Sequence, residues 1–169
     1  MKIKHLFLIA VAALTQISCQ NKEKDKAEEV AQLFFETYAD RKDFNKIKSF
    51  YNDSIEYENV IQNTSTLKFE TSYLLNNVLS WNDKSIAYEG GKALKVNEII
   101  SKDSMVVVNG EFNSYTYNGF QFLPMRFTTY LYLDQNYKIV KQVDWFNYPI
   151  GDLIELYQLQ ESKKFQVDQ

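Results

Sequence analysis

Residues 105–146 read MVVVNGEFNSYTYNGFQFLPMRFTTYLYLDQNYKIVKQVDWF, and their apolar side chains recur at every second position. That period belongs to strands, whose successive side chains point to opposite faces. Asn118-Gly119, flanked by aromatic residues, suits the positive backbone angles of a two-residue type I′ hairpin turn. Asp134 to Tyr137 makes the next turn. The stretch therefore predicts a long strand from Met105 to Tyr117, with Gly110 marking a bulge or bend. A return follows from Phe120 to Leu133, where Pro124 implies a bulge or an edge, and a closing strand runs from Lys138 to Phe146. Upstream, Leu94, Val96 and Ile100 alternate in a further strand that turns at Lys102-Asp103.

Before Gly90-Gly91 the period is helical. Val30, Leu33, Phe34 and Tyr38 fall on one helical face, and Glu28 and Glu29 stand in the first turn, where the helix dipole favours them. Asp43 can cap a second, short helix with the stripe Phe44, Ile47, Phe50 and Tyr51. Asp53-Ser54 ends it, and Ile55 to Val60 reads as a strand with Ile55, Tyr57 and Asn59 on one face. The polar run from Asn63 to Thr66 offers caps for a third helix carrying Leu67, Tyr73, Leu74, Val78 and Trp81. At the far end Pro149 suits the first turn of a closing helix with the apolar face Ile150, Leu153, Ile154, Tyr157 and Leu159. Helices followed by a meander of long strands give an α+β class, with helices packed on one face of a curved antiparallel sheet.

The amino-terminal stretch has a different character. Lys2 and Lys4 precede an apolar run from Leu6 to Leu14, too short to span a bilayer, and Ser18 precedes Cys19. This segment resembles a bacterial lipoprotein signal peptide, which is cut before a cysteine that is then acylated; the alternative is an ordinary secretory leader. The resemblance implies residues 1–18 as leader, 19–26 as a polar tether, 27–160 as the domain and 161–169 as a polar tail. It implies lipidation at Cys19 and a place in the cell envelope, lipid-anchored to the outer membrane on its periplasmic or surface face. Gln20, Lys22, Glu23 and Asp25 loosely resemble a surface-export stretch.

Cleavage there would move the net charge from −3 to about −5 and discard His5. The chain has one cysteine and one histidine, so neither a His-based metal site nor a Cys-His or Ser-His pair remains. No metal and no cofactor are expected. The roughly 140 remaining residues suffice for one core. Mild acidity without a basic stripe argues against nucleic acid as a partner.

Phe34-Phe35-Glu36-Thr37-Tyr38 through Phe50-Tyr51-Asn52-Asp53-Ser54-Ile55, with Tyr137-Lys138-Ile139-Val140 through Asp144-Trp145-Phe146, resemble the SnoaL-like branch of the nuclear-transport-factor-2-like superfamily. The resemblance covers roughly Ala27 to Tyr157. It implies a cone-shaped sheet around a pocket, in a family of cyclases, isomerases, dehydratases, epoxide hydrolases and domains without chemistry. Asp144 interrupts an apolar strand, and burial would raise its pKa towards that of a general acid or base. The competing reading pairs Asp144 with Arg126 or a backbone donor as a purely structural group.

Arg126, Thr128, Tyr130 and Tyr132 share one face of their strand, read here as polar and inward. Epoxide hydrolases of the superfamily carry Arg-x-Asp on this strand and Tyr-x-Asn on the first. Arg126, Tyr57 and Asn59 match that pattern, whereas Thr128 stands where a second carboxylate belongs. The resemblance thus implies Asp144, Arg126 and Tyr57 as candidate catalytic residues and Asn59, Thr128, Tyr130 and Trp145 as ligand contacts. The leading expectation is a non-catalytic pocket for a small, largely apolar ligand. The alternatives are an isomerase, cyclase or epoxide-hydrolase-like enzyme using Asp144, and a structural module forming a homodimer.

Overall fold

The computed structural model of the chain describes residues 26–61, 66–117, 119–155 and 157–158. The leader, Cys19, most of the tether, Asn118, Leu159 and the tail lie outside the described residues. Helix α1 (26–40) is followed by α2 (Phe44–Ser49), β1 (Tyr51–Asn59) and β2 (Leu67–Glu70). A single helical turn α3 (Thr71–Tyr73) then runs on as a π-helical turn, Leu74–Val78. The strands β3 (Ile86–Tyr88), β4 (Leu94–Lys102), β5 (Met105–Phe112), β6 (Tyr115–Tyr117), β7 (Phe120–Phe122), β8 (Met125–Leu133) and β9 (Ile139–Asn147) lead to α4 (150–155).

Six strands form one sheet in the order β2-β1-β9-β8-β5-β4, and β3, β6 and β7 form a second. Among the described residues every strand pairing is antiparallel except β1 with β9. The class is thus α+β, a curved sheet with helices on one face, as the period change predicts. The two longest predicted strands are each broken once, at 113–114 and at 123–124. There the hairpin leaves the large sheet and joins the small one. Pro124 has no N–H for the ladder, which explains the second break. Gly119, with φ +83°, occupies the turn position where a left-handed backbone is required.

The helix α1 covers the sheet through Ala27, Ala31, Phe34, Phe35 and Tyr38, all buried. Leu33, expected on that stripe, is 40% exposed instead, because at about 3.6 residues per turn it falls on the opposite side of the helix from these five. Phe34 meets Phe35, Phe50 and Tyr51 edge-on with ring centroids 5.0–5.7 Å apart. Phe35 stacks on Phe127 at 5.7 Å. Each fully buried side chain of this size stabilises the fold by about 1.5–3 kcal/mol.

Arg41 ends α1 with a left-handed backbone, φ 47°. Its guanidinium donates to the carbonyls of Leu79 and Ser80 and lies over the rings of Tyr38, Trp81 and Tyr88. These contacts offset the backbone strain and tie α1 to the loop that precedes β3.

The cap at Asp43 forms as expected, accepting from the Lys46 N–H at 2.8 Å. Two other expectations need correction. The first strand begins at Tyr51 rather than Ile55, directly after α2. Leu67–Glu70, expected to open a helix, is a strand whose register runs from Ser54↔Glu70 to Tyr57↔Leu67, because the edge of β1 offers unpaired backbone groups.

In α4 the apolar residues Ile150, Leu153 and Ile154 are exposed, and so is the helical Tyr157, while Asp152 is buried. Asp152 accepts from the Leu123 N–H at 3.1 Å. That donor lies at the strand break and would otherwise be orphaned, which explains why the polar residue points inward.

Candidate functional site

The strand β9 places Gln142 and Asp144 on the helix-covered face and Trp145 on the other, as alternation requires. Asp144 is only 2% exposed. Its Oδ1 accepts from Thr129 Oγ1 at 2.6 Å and its Oδ2 from Gln142 Nε2 at 2.8 Å. The Tyr57 hydroxyl also donates to this carboxylate. Gln142 is oriented in turn by Tyr51, whose hydroxyl donates to Gln142 Oε1 at 2.7 Å. Asn59, buried, is the register partner of Asp144 across the parallel β1–β9 ladder.

Burial raises the Asp144 pKa from 3.8 to about 6, and the hydrogen bonds from Thr129, Gln142 and Tyr57 oppose that rise without cancelling it. Burial pushes the Tyr57 hydroxyl far upward, and the neighbouring Asp144 charge adds to this. Tyr51 is raised in the same way. Both phenols are therefore neutral donors at any physiological pH. Thr129 and Tyr57 carry hydroxyls that donate to a carboxylate or accept from a carboxylic acid, so the site can accommodate Asp144 in either protonation state. Chemically it is a buried carboxyl whose pKa is raised to about 6.

Above Asp144 the helix-covered face narrows to a cavity lined by Phe34, Phe35, Tyr38, Phe112, Phe127 and Phe146, among others. Its volume is about 10 Å³. That is the room of one water molecule. Phe112 and Phe146 are the half-buried members of the lining, so they stand at its mouth.

Of the residues singled out from sequence, Tyr57, Asn59 and Asp144 come together on this inner face. Arg126, Thr128, Tyr130 and Trp145 do not, and their placement is a correction. The inner positions of β8 are Met125, Phe127, Thr129, Leu131 and Leu133, all buried. Arg126, Thr128 and Tyr130 therefore share a face as expected, but it is the outer one. Arg126, Thr128 and Trp145 line a groove there. The pairing of Asp144 with Arg126 does not form, and Thr129, its register partner on β8, takes that place.

Sequence reasoning missed Thr129, Gln142 and Tyr51. Gln142 carried a readable signal, since it lies two residues before Asp144 on the same strand and so must share its face. Thr129 requires the β8–β9 register, which the local pattern does not supply.

No protein-family model matches this chain, and no curated protein sequence does. Solved structures resemble it. An LEH-like epoxide hydrolase of M. tuberculosis is 16% identical over 74% of this chain and 85% of that one, with a TM-score of 0.56. An NTF-2 like protein from Burkholderia xenovorans is 18% identical over 76% of this chain and 88% of its own, with a TM-score of 0.55. A protein of ketosteroid isomerase-like fold from Catenulispora acidiphila, in complex with trimethylamine, is 10% identical over 72% and 86%, with a TM-score of 0.52. At such identities the likeness carries architecture rather than activity: this chain has the nuclear-transport-factor-2-like fold.

Proposed function

We propose that this chain is a binding protein of the cell envelope, whose cone takes up a small, largely apolar ligand with one polar group directed at Asp144. The observation that carries the reading is a single buried carboxyl at the inner end of an aromatic-walled cavity. Aromatic walls supply apolar contact, and one fixed polar group supplies orientation. The cavity has room for a single water, so the ligand enters by displacing the mouth rings Phe112 and Phe146. The non-catalytic character follows from what surrounds Asp144. Each of its oxygens already accepts a hydrogen bond, and among the described residues neither an arginine nor a second carboxylate hydrogen-bonds to it. Native mass spectrometry of the full chain after exposure to a metabolite mixture tests the reading. A retained small molecule, lost in Phe127→Trp, which fills the cavity, is the expected result; no capture by the wild type or by the mouth-opened Phe146→Ala refutes it.

A second reading is favoured by the Asp144 pKa of about 6. With Tyr57 as a neutral donor beside it, Asp144 has the pKa of a general acid or base in an isomerase, cyclase or hydrolase. One of the solved structures of this fold, described as an epoxide hydrolase, supports the class. Turnover abolished in Asp144→Asn would favour this second reading over binding alone.

The envelope location rests on the segment around Cys19. Incorporation of labelled palmitate that disappears in Cys19→Ala is the expected result, and labelling that persists refutes lipidation at that residue.

A further inference from the structure

The outer face of the large sheet carries a second feature that neither the cone nor the fold requires. Between β4, β5, β8 and β9 lies an open groove of about 480 Å³, lined by Asn97, Asn109, Glu111, Arg126, Trp145 and Asn147 among others. Trp145 is 53% exposed, whereas the other tryptophan, Trp81, is 3% exposed in the core. An indole left half in water costs hydrophobic stabilisation that burial would have supplied. The side chains around it are planar amides, a carboxylate and a guanidinium, the groups that make paired hydrogen bonds.

Two details give the groove a fixed shape. Asn109 is held by Thr128, which donates to its Oδ1 at 2.7 Å, while its Nδ2 donates to Glu98 at 3.1 Å. On β4 the register shifts between Val96 and Glu98 opposite Gly110 and Asn109, so Asn97 is a bulge residue that lines the groove. A bulge of this kind re-aims a side chain that a regular ladder would hold in line. The charges nearly balance. Lys95 pairs with Glu111 at 2.8 Å, which leaves the lining a single net positive charge, that of Arg126. A phosphate or nucleic acid gains little from such a surface, while a neutral molecule dense in hydroxyls matches it.

We propose that this groove is a binding site for a neutral carbohydrate, with the C–H face of a pyranose ring stacked on Trp145. Vicinal hydroxyls bond to Asn97, Asn147, Arg126 and the outer oxygen of Glu111, while Asn109 forms the ordered floor. The site lies on the face opposite the Asp144 cavity, so it is independent of the ligand proposed there.

The tryptophan distribution supplies the assay. Because Trp81 is buried, changes in quenching by acrylamide report on Trp145. The full chain titrated with cellohexaose, xylohexaose, mannohexaose and maltohexaose should show saturable protection of Trp145 by at least one of them. Calorimetry should then show binding weakened at least tenfold in Trp145→Ala and in Asn147→Ala, with unchanged circular dichroism. Two outcomes overturn the proposal. One is no protection by any of the four sugars at millimolar concentration; the other is protection that depends on protein concentration alone, which would make this face a contact between copies of the chain.

Discussion

Replacing Asp144 by asparagine should remove one specific component of the pH dependence of folding, and the structure fixes both its sign and its size. The folded-state pKa of Asp144 is raised from 3.8 to about 6 by burial. Between those values the native state binds a proton that the unfolded state has released. Stability therefore falls as pH rises, being fully present below about pH 4 and lost once pH has passed through about 6. At about 1.4 kcal/mol per pH unit, the gap corresponds to about 3 kcal/mol by pH 7. The amide of Asp144→Asn carries no titrating proton, so this component vanishes.

The hydrogen-bond network can absorb the change. In Asp144→Asn the side-chain oxygen still accepts from Thr129, and Gln142 can turn its amide so that its oxygen accepts from the new side-chain NH2 while its nitrogen donates to the Tyr51 hydroxyl. The assay is urea unfolding of both proteins from about pH 4 to about pH 7, followed by the fluorescence of buried Trp81. Exposed carboxyls held low by local hydrogen bonds, Glu70 and Asp83, titrate identically in the two proteins and cancel in the difference. The variant should gain about 2.4 kcal/mol of that total on the wild type across that range. Parallel profiles would refute the reasoning, and so would a variant that loses ground with rising pH, because both would mean that the folded protein does not disfavour the Asp144 charge.

Removing a donor to that charge should push its pKa higher still. In Thr129→Val or Tyr57→Phe the midpoint of the wild-type pH transition should move upward from about 6, most directly seen by NMR titration of the Asp144 carboxyl carbon; a midpoint that stays or falls would exclude these hydroxyls as partners of the carboxylate. At Gly110 an added Cβ would lie 2.5 Å from the Lys95 carbonyl oxygen and closer still to the Phe127 ring. Gly110→Ala should therefore destabilise the fold by about 1–3 kcal/mol in urea unfolding, whereas an unchanged midpoint would show that the sheet yields there without strain.

Most of the architecture was legible because it rests on periodicity, and periodicity is local. The change from helical to alternating spacing after Gly90-Gly91 placed the sheet, and Asn118-Gly119 placed the hairpin that leaves it. What escaped was decided by partners distant in the chain. Leu67–Glu70 became a strand because β1 presents an open edge, which its own residues do not reveal. Asp152 faces inward because Leu123 needs an acceptor. Both are tertiary decisions overriding a local preference.

The choice of face on β8 is of a different kind, because its signal was present. Alternation divides 125–133 into Met125, Phe127, Thr129, Leu131 and Leu133 on one side and Arg126, Thr128, Tyr130 and Tyr132 on the other. The first set is nearly all apolar, and hydrophobic burial makes that set the inner one. Assigning the polar set inward follows a catalytic pattern against that energetic ordering. Turning four polar or amphipathic side chains into the core would have exposed Phe127 and Leu131 and left a guanidinium without a water shell. The same phase fixes β9, where Gln142 and Asp144 must then face Thr129 and Trp145 must face out. A one-residue shift thus separates two chemistries on consecutive residues, a buried carboxyl inside the cone and an indole on the open face.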